Sequence, residues 1–123
     1  MTTISPERME VYKRSARIRE DEQKQALLQR RESAWKVARQ AASVLKEQFG
    51  ATRVVVFGSL AHGAWFNVRS DIDLMVEDLP SDKFWRAWAA LDPISNGFEI
   101  DLVANDEMTE RLREVIEQEG MEL

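Results

Sequence analysis

The chain has 123 residues, a formal net charge of −5, one histidine and no cysteine. This length fits one domain with a real core. The missing cysteines exclude disulfides and thiolate metal sites, so a metal would need oxygen ligands. The negative charge argues against broad nucleic-acid binding, which requires a basic face. No apolar run could span a membrane or act as a secretory signal, so we expect a cytoplasmic protein that contacts neither membrane nor nucleic acid.

The N-terminal part of the sequence predicts a charged helical arm at residues 1–32. Residues up to about Ser5 look disordered, and Pro6 is well placed to open a helix. From Glu7 to about Arg31, charged helix formers dominate and apolar positions are sparse. Such an arm is either a solvated helix or a segment that pairs with another chain, in a homo- or hetero-oligomer.

Residues 33–123 are predicted to form the folded domain, which begins with a more apolar helix. From Ala34 to Phe49 the apolar residues recur at helical spacing, and Gly50 is in the usual position to end the helix. The sequence leaves open whether arm and helix are continuous. Val54–Phe57 follows without alternation, which predicts a central strand covered on both faces.

The rest of the chain predicts two more strands and two helices. We expect strands at Asp71–Glu77 and Phe98–Val103. A helix should run from about Pro80 to Leu91, and a last helix, capped by Asn105 or Asp106, should end at Gly120. The side chains expected to be buried on the first of these helices are Phe84, Trp85, Trp88, Ala89 and Leu91. The pattern is that of a small α/β (α+β) domain, and we also expect Trp65 in its core.

Three acidic residues fall on predicted strands. Side chains alternate along a strand, so Asp71 and Asp73 should point to the same face. Asp101 stands between Ile100 and Leu102 on an otherwise apolar strand, where an acid without a function is unfavourable. Carboxylates grouped in this way suit Mg²⁺ and phosphoryl or nucleotidyl transfer. The alternative is that Asp71 and Asp73 form only the polar face of an edge strand.

The turn after the first strand offers a phosphate contact. Gly58 lets the backbone approach a phosphate closely, and the Ser59 hydroxyl with the following amides can donate hydrogen bonds to it. A lone Gly-Ser pair is a common turn. Its position between an apolar strand and the paired acids favours a functional role.

These motifs together resemble a known family. The run G-S-L-A-H-G from Gly58, the run S-D-I-D-L from Ser70 and the later strand acid are similar to the DNA-polymerase-β-like nucleotidyltransferase superfamily, and the small size resembles its minimal nucleotidyltransferase (MNT) branch. The resemblance covers about Val54–Val103. It implies a small mixed sheet flanked by helices, the nucleotidyltransferase fold.

The resemblance also implies roles for individual residues. Gly58, Ser59 and Ser70 would bind the nucleotide. Asp71 and Asp73 would hold Mg²⁺, and Asp101 would complete the catalytic and metal site and help to activate the attacking hydroxyl. The resemblance therefore implies a Mg-dependent enzyme of the protein adenylyltransferase type.

MNT proteins of this size resemble the antitoxins of HEPN/MNT toxin–antitoxin modules. Members of this group transfer AMP from Mg-ATP to a tyrosine of a helical HEPN-type toxin. We therefore expect ATP and such a toxin as partners. Two alternatives stay open, a non-catalytic antitoxin that masks its toxin sterically and a small-molecule nucleotidyltransferase of the aminoglycoside type.

Two features depart from the family pattern. His62 stands where many relatives have Arg or Lys, and Ala64–Phe66 is more apolar than the loop that the family predicts. His62 is expected to be a surface or phosphate-side residue rather than a metal ligand, because no second histidine accompanies it. Arg69 could supply the missing positive charge, or it could simply be solvated. We expect this chain to differ from its relatives here.

Overall fold

The longest element of the computed structural model, which describes residues 4–123, is helix α1, Pro6–Phe49. The Ser5 side chain caps it by accepting a hydrogen bond from the Arg8 amide at 3.3 Å, and Pro6 occupies its first turn. Gly50 ends it in the left-handed conformation, with φ of 78°. The arm and the core helix are therefore one continuous helix. The disorder expected at the terminus falls on residues 1–3, outside the described residues, whereas Ser5 is ordered.

The two halves of α1 have different surroundings. Every side chain from residue 6 to residue 26 is exposed, so the helix extends freely for about 30 Å at 1.5 Å per residue. The buried stripe starts at Ala34 and consists mostly of alanine, which lets the helix approach the sheet closely. Its members are Ala34, Val37, Ala38, Ala41, Ala42 and Leu45.

The sheet has four strands in the order β3-β2-β1-β4. Strand β1, Arg53–Phe57, pairs antiparallel with β2, Ile72–Glu77, and with β4, Met121–Glu122. Strand β3, Ile100–Ala104, is parallel to β2 and forms one edge. The expected mixed sheet flanked by helices is confirmed. The two-residue β4 was not predicted, because so short a segment carries no alternation pattern.

Strand β1 is buried on both faces, as its continuous apolar sequence predicted. Val54 and Val56 pack in the main core with α1, whereas Val55 packs on the opposite face with Met75 and Ile116. Ile116 belongs to helix α4, Glu110–Glu119. Helix α1 packs on the core face over β1 and β2, while α4 packs against β1 on the other face.

Helix α3, Phe84–Ala90, corrects one expectation. Its buried stripe follows the spacing 84, 87, 88 and 91, with Ala87 and Leu91 fully inside and Phe84 and Trp88 partly buried. Trp85 and Ala89 lie about 100° away on the helix and are exposed, Trp85 by 73%. Trp65 is likewise exposed by 71%, so the prediction that both tryptophans belong to the core is wrong.

Helix α4 begins later than expected. Residues 105–107 form a separate 3₁₀ turn, and the cap is Thr109, whose hydroxyl accepts a hydrogen bond from the Leu112 amide at 3.2 Å. Both Asn105 and Asp106 are therefore wrong as caps. Gly120 ends the helix, as predicted. Among residues 4–123, none of the helices combines the length and the apolar character that crossing a membrane requires.

Candidate active site

Asp73 and Asp101 lie side by side on neighbouring strands. They are register partners in the parallel pair of β2 and β3, with their Cα atoms about 4.8 Å apart at ordinary strand spacing. Both side chains are half-buried and leave the sheet on the face opposite α1. The sequence predicted Asp73 and Asp101 on separate strands, and the parallel pairing of β2 with β3 brings them together.

The glycine turn touches Asp73, one member of this acid pair. Gly58 follows β1, whose last residue, Phe57, is the register partner of Asp73. Gly58 has φ of 74° and ψ of −153°, a conformation that only glycine adopts without strain. A Cβ atom at this position would collide with the Asp73 carboxylate. The glycine is therefore required both by its backbone conformation and by the space that Asp73 occupies.

The electrostatics of the cluster centre on Asp73. Burial, followed by the negative charges of Asp101 and Asp71, raises the pKa of Asp73 from 3.8 to about 6. The negative charges of Asp71 and Asp101 thus repel the charge of Asp73 near the start of β2. A carboxylate whose ionised form is disfavoured by burial and by neighbouring charges is typical of a functional site.

Asp71 is held by the loop that precedes β2. The neighbouring Ser70 is 9% exposed, and its hydroxyl accepts a hydrogen bond from the Asn67 amide at 2.9 Å. The Ser70 amide in turn donates to the Asn67 carbonyl at 3.1 Å. Ile72 joins β2 to the chain before β3 by donating to the Glu99 carbonyl at 2.9 Å. Ser70 therefore closes the turn that presents Asp71.

The segment after Gly58 is a single helical turn, α2, Ser59–His62. Ser59 is half-buried at its start, and Leu60 is fully buried and anchors the turn in the core. The turn ends at Gly63, whose amide donates to the Ser59 carbonyl at 2.8 Å. Ser59 thus lies next to Gly58 at the point where β1 meets α2.

Two arginines of α1 support this end of the sheet, and sequence reasoning missed them. Arg30 donates to the Ser70 carbonyl and Arg31 to the Leu60 carbonyl, each at 3.4 Å. The guanidinium of Arg30 also lies 4.4 Å from the centre of the Phe98 ring. Within the described residues neither arginine forms a salt bridge. The only available signal was their position directly before the buried stripe of α1.

The features that departed from the family pattern lie at the surface. His62 is exposed, and its Nε2 atom is 3.8 Å from a carboxylate oxygen of Glu119 on α4, which agrees with its predicted surface position. The Trp65 ring lies 6.1 Å from the His62 ring, centre to centre. Arg69 is also exposed, in a loop where its amide donates to the Asn67 side chain at 2.8 Å.

The carboxylate oxygens at this site suit a hard cation such as Mg²⁺, with the substrate supplying some of the remaining ligands. In the described part of the chain, no three Asp, Glu or His side chains are grouped tightly enough to enclose a metal ion by themselves. Mg²⁺, however, commonly uses one or two carboxylates and takes its remaining ligands from water and substrate phosphates. The adjacent Asp73 and Asp101 meet this requirement. Burial and then the neighbouring negative charges raise the pKa of Asp73, and a cation would offset the repulsion between these charges.

Comparison with known proteins agrees with this geometry. The family model for the nucleotidyltransferase domain matches residues 38–122. The chain belongs to the nucleotidyltransferase family. A solved structure described as a minimal nucleotidyltransferase is 31% identical, with 80% of this chain and 94% of that chain covered and a TM-score of 0.53. The chain is thus placed among the minimal nucleotidyltransferases. No curated protein matches it.

Two further solved structures share the fold of this nucleotidyltransferase. A chain of a toxin–antitoxin complex with AMP-PNP is 20% identical, with a TM-score of 0.57 over 69% of this chain and 70% of that chain. A chain of the complex between the tri-AMPylated HEPN toxin of Shewanella oneidensis and its MNT antitoxin is 17% identical, with a TM-score of 0.54 over 72% and 70%. The fold expected from the sequence is confirmed.

Proposed function

We propose that this nucleotidyltransferase is a cytoplasmic antitoxin that transfers AMP from Mg-ATP to a tyrosine hydroxyl of a helical HEPN-type toxin. The observation that carries the proposal is the register pair of Asp73 and Asp101, with the Asp73 carboxylate packed against the Gly58 turn. The neighbouring structures support the choice of nucleotide and partner, since one contains AMP-PNP and another an AMPylated HEPN toxin with its MNT antitoxin.

The proposed roles follow the positions of the residues. Gly58 and Ser59 bind the triphosphate where β1 meets α2. Ser70 binds the nucleotide from the loop before β2. Asp71, Asp73 and Asp101 hold Mg²⁺, which when bound would neutralise charge on the triphosphate and on the leaving group. Burial of this cluster strengthens these electrostatic contacts.

The reaction is a displacement at the α-phosphorus of ATP. The tyrosine oxygen forms a bond to the α-phosphorus, the bond from that phosphorus to the bridging oxygen of the β-phosphate breaks, and pyrophosphate leaves. The tyrosine proton passes to the carboxylate of Asp101, which acts as general base. Asp101 is suited to this role because β3 is the edge strand, so that one of its sides is open to an acceptor.

Labelling of the partner tests this proposal. The chain is incubated with Mg²⁺, α-labelled ATP and the product of the neighbouring gene, which the proposal expects to be a HEPN-type protein. We expect label on a tyrosine of the partner, no label with Asp73→Ala, and no label on aminoglycosides supplied instead of the partner. Absence of transfer by the wild-type chain would refute the enzymatic proposal, and labelled aminoglycosides would favour the small-molecule alternative.

The free part of α1 favours a second candidate, antitoxin action by masking. We propose residues 1–32 as a partner-facing arm, distinct from the catalytic domain at 33–123. Apolar side chains along the arm are exposed, among them Val11, Tyr12 and Ile18. The two candidates differ in cells: if Asp71→Ala combined with Asp73→Ala still neutralises the toxin fully, masking explains the effect, whereas loss of neutralisation indicates catalysis.

A further inference from the structure

A cleft opens beside Asp101 at the free edge of β3. It has a volume of about 240 Å³ and is bounded by apolar side chains that include Trp88, Leu91 and Phe98. Asp101 contributes to its wall, so the cleft, whose apolar lining belongs to the α1 side of the sheet, reaches one residue of the candidate active site at the edge strand. Because Gly58 follows β1 and Asp101 lies on β3, with β2 between them, the cleft lies on the side of Asp73 away from the glycine turn.

A stacked pair of tryptophans, the half-buried Trp88 and the exposed Trp85, extends this cleft along α3. Trp88 is fixed in place because its indole N–H donates to the Ile100 carbonyl of β3 at 2.7 Å. Trp85 stacks on it, with ring centres 5.5 Å apart and planes inclined by 11°. A second, shallower cavity of about 460 Å³ shares Trp88 and Asp92 with the first and includes Trp85. Tryptophan is enriched where proteins bind partners.

The polar part of the cleft is acidic. Asp92, Glu99 and Asp101 line it, and within the described residues neither cavity has a Lys or Arg in its wall. Asp92 and Glu99 are both exposed, so their charges face whatever enters. Aromatic and apolar surface flanked by carboxylates is complementary to an aromatic side chain flanked by basic residues.

We infer that this cleft, from Asp101 to Trp85, is the docking site for the acceptor: a segment of the partner that presents its tyrosine between basic residues. The inference rests on the proposed function and adds the surface and the chemistry that recognise the acceptor. Trp85 and Trp88 receive apolar and aromatic parts of the segment, while Asp92 and Glu99 pair with its cationic side chains. The tyrosine hydroxyl then reaches the Asp101 end of the cleft.

Peptide binding without ATP tests the inference separately from catalysis. The probes are two capped pentapeptides with a central tyrosine, one with arginine at both ends and one with glutamate at both ends. Binding is measured by calorimetry on the full chain and its variants. We expect the arginine peptide to bind at least about tenfold more tightly than the glutamate peptide, and Trp85→Ala to weaken it by about tenfold or more.

Matched variants separate docking from general damage. Trp65→Ala removes an equally exposed tryptophan that lines neither cavity, and it should leave the affinity unchanged. Asp92→Asn with Glu99→Gln should reduce the preference for the arginine peptide while the fold, checked by circular dichroism, is kept. Equal effects of the Trp65 and Trp85 variants would overturn the inference.

Competition with the nucleotide gives the final check. Saturating Mg-ATP should leave peptide binding in place, because the triphosphate is assigned to the Gly58 side of the sheet. Displacement of the peptide by Mg-ATP would show that the cleft holds the nucleotide instead and would overturn the inference. If the wild-type chain binds the peptide but transfers no AMP, the proposed reaction fails while the docking site stands.

Discussion

Replacement of Asp73 by asparagine should make the metal-free protein more stable and catalytically inactive. The carboxylate of Asp73 is half-buried next to Asp101 and near Asp71, and these surroundings raise its pKa from 3.8 to about 6. Asparagine has nearly the same shape and carries no charge. The substitution therefore removes an unfavourable charge without creating a cavity.

The size of the effect follows from the pKa. A rise from 3.8 to about 6 disfavours the ionised folded state by at most about 3 kcal/mol at neutral pH. Since Asp73 is only half-buried, water screens the charges, and we expect about 1–2 kcal/mol. The folded-state pKa lies above the unfolded value, so the penalty is absent below about pH 4, develops as the pH rises toward 6 and stays constant above it.

Urea denaturation at several pH values, in the absence of divalent cations, measures this effect. The free energy of unfolding of Asp73→Asn should exceed that of the wild type by about 1–2 kcal/mol at pH 7.5 and match it near pH 4. Added Mg²⁺ should stabilise the wild type at pH 7.5 and have a smaller effect on the variant, because the cation binds the folded carboxylates.

A matched control is Asp21→Asn, at an exposed position in the free part of α1. This variant should have the same stability as the wild type at both pH values. The reasoning is refuted if Asp73→Asn is no more stable than the wild type at pH 7.5, or if its advantage does not change with pH.

Two further substitutions probe the neighbouring contacts. Gly58→Ala should lower the free energy of unfolding in urea by about 2 kcal/mol or more and abolish nucleotide binding. The control Gly97→Ala, also at positive φ but with open space around it, should lower it by only about 1 kcal/mol and leave nucleotide binding intact. Equal losses in the two variants would contradict the contact between Gly58 and Asp73. Trp88→Phe should cost about 1–2 kcal/mol because the Ile100 carbonyl loses its donor, and an unchanged free energy of unfolding would show that this hydrogen bond is replaced by water.

The parts of the structure that local patterns encode were predictable. The continuous apolar run of β1 indicated a strand covered on both faces, and both sets of neighbours are present. Gly58 was singled out because it follows that strand directly, and its backbone conformation does require glycine. The acids on β2 and β3 were predicted from their positions within apolar strands. Their direct pairing depends on the strand order, which the sequence alone does not determine.

Other features depend on contacts between distant parts of the chain. Trp85 looked like a core residue because it is large and apolar, but the phase of α3 is set by Ala87 and Leu91, which places Trp85 outside. Arg30 and Arg31 belong to a charged stretch that reads as solvated, and only the packing of α1 shows that they contact the loop and the turn beside the site.

The central claim is that Asp73 and Asp101, next to the Gly58 turn, form a nucleotidyl-transfer site that acts on a partner protein. The most direct measurement is the intact mass of the HEPN-type partner after incubation with Mg-ATP and either the wild-type chain or Asp101→Asn. We predict that the wild-type chain adds one or more AMP groups and that the variant adds none while still binding the partner. A partner that stays unmodified by the wild-type chain, or that is modified equally by Asp101→Asn, would contradict this claim.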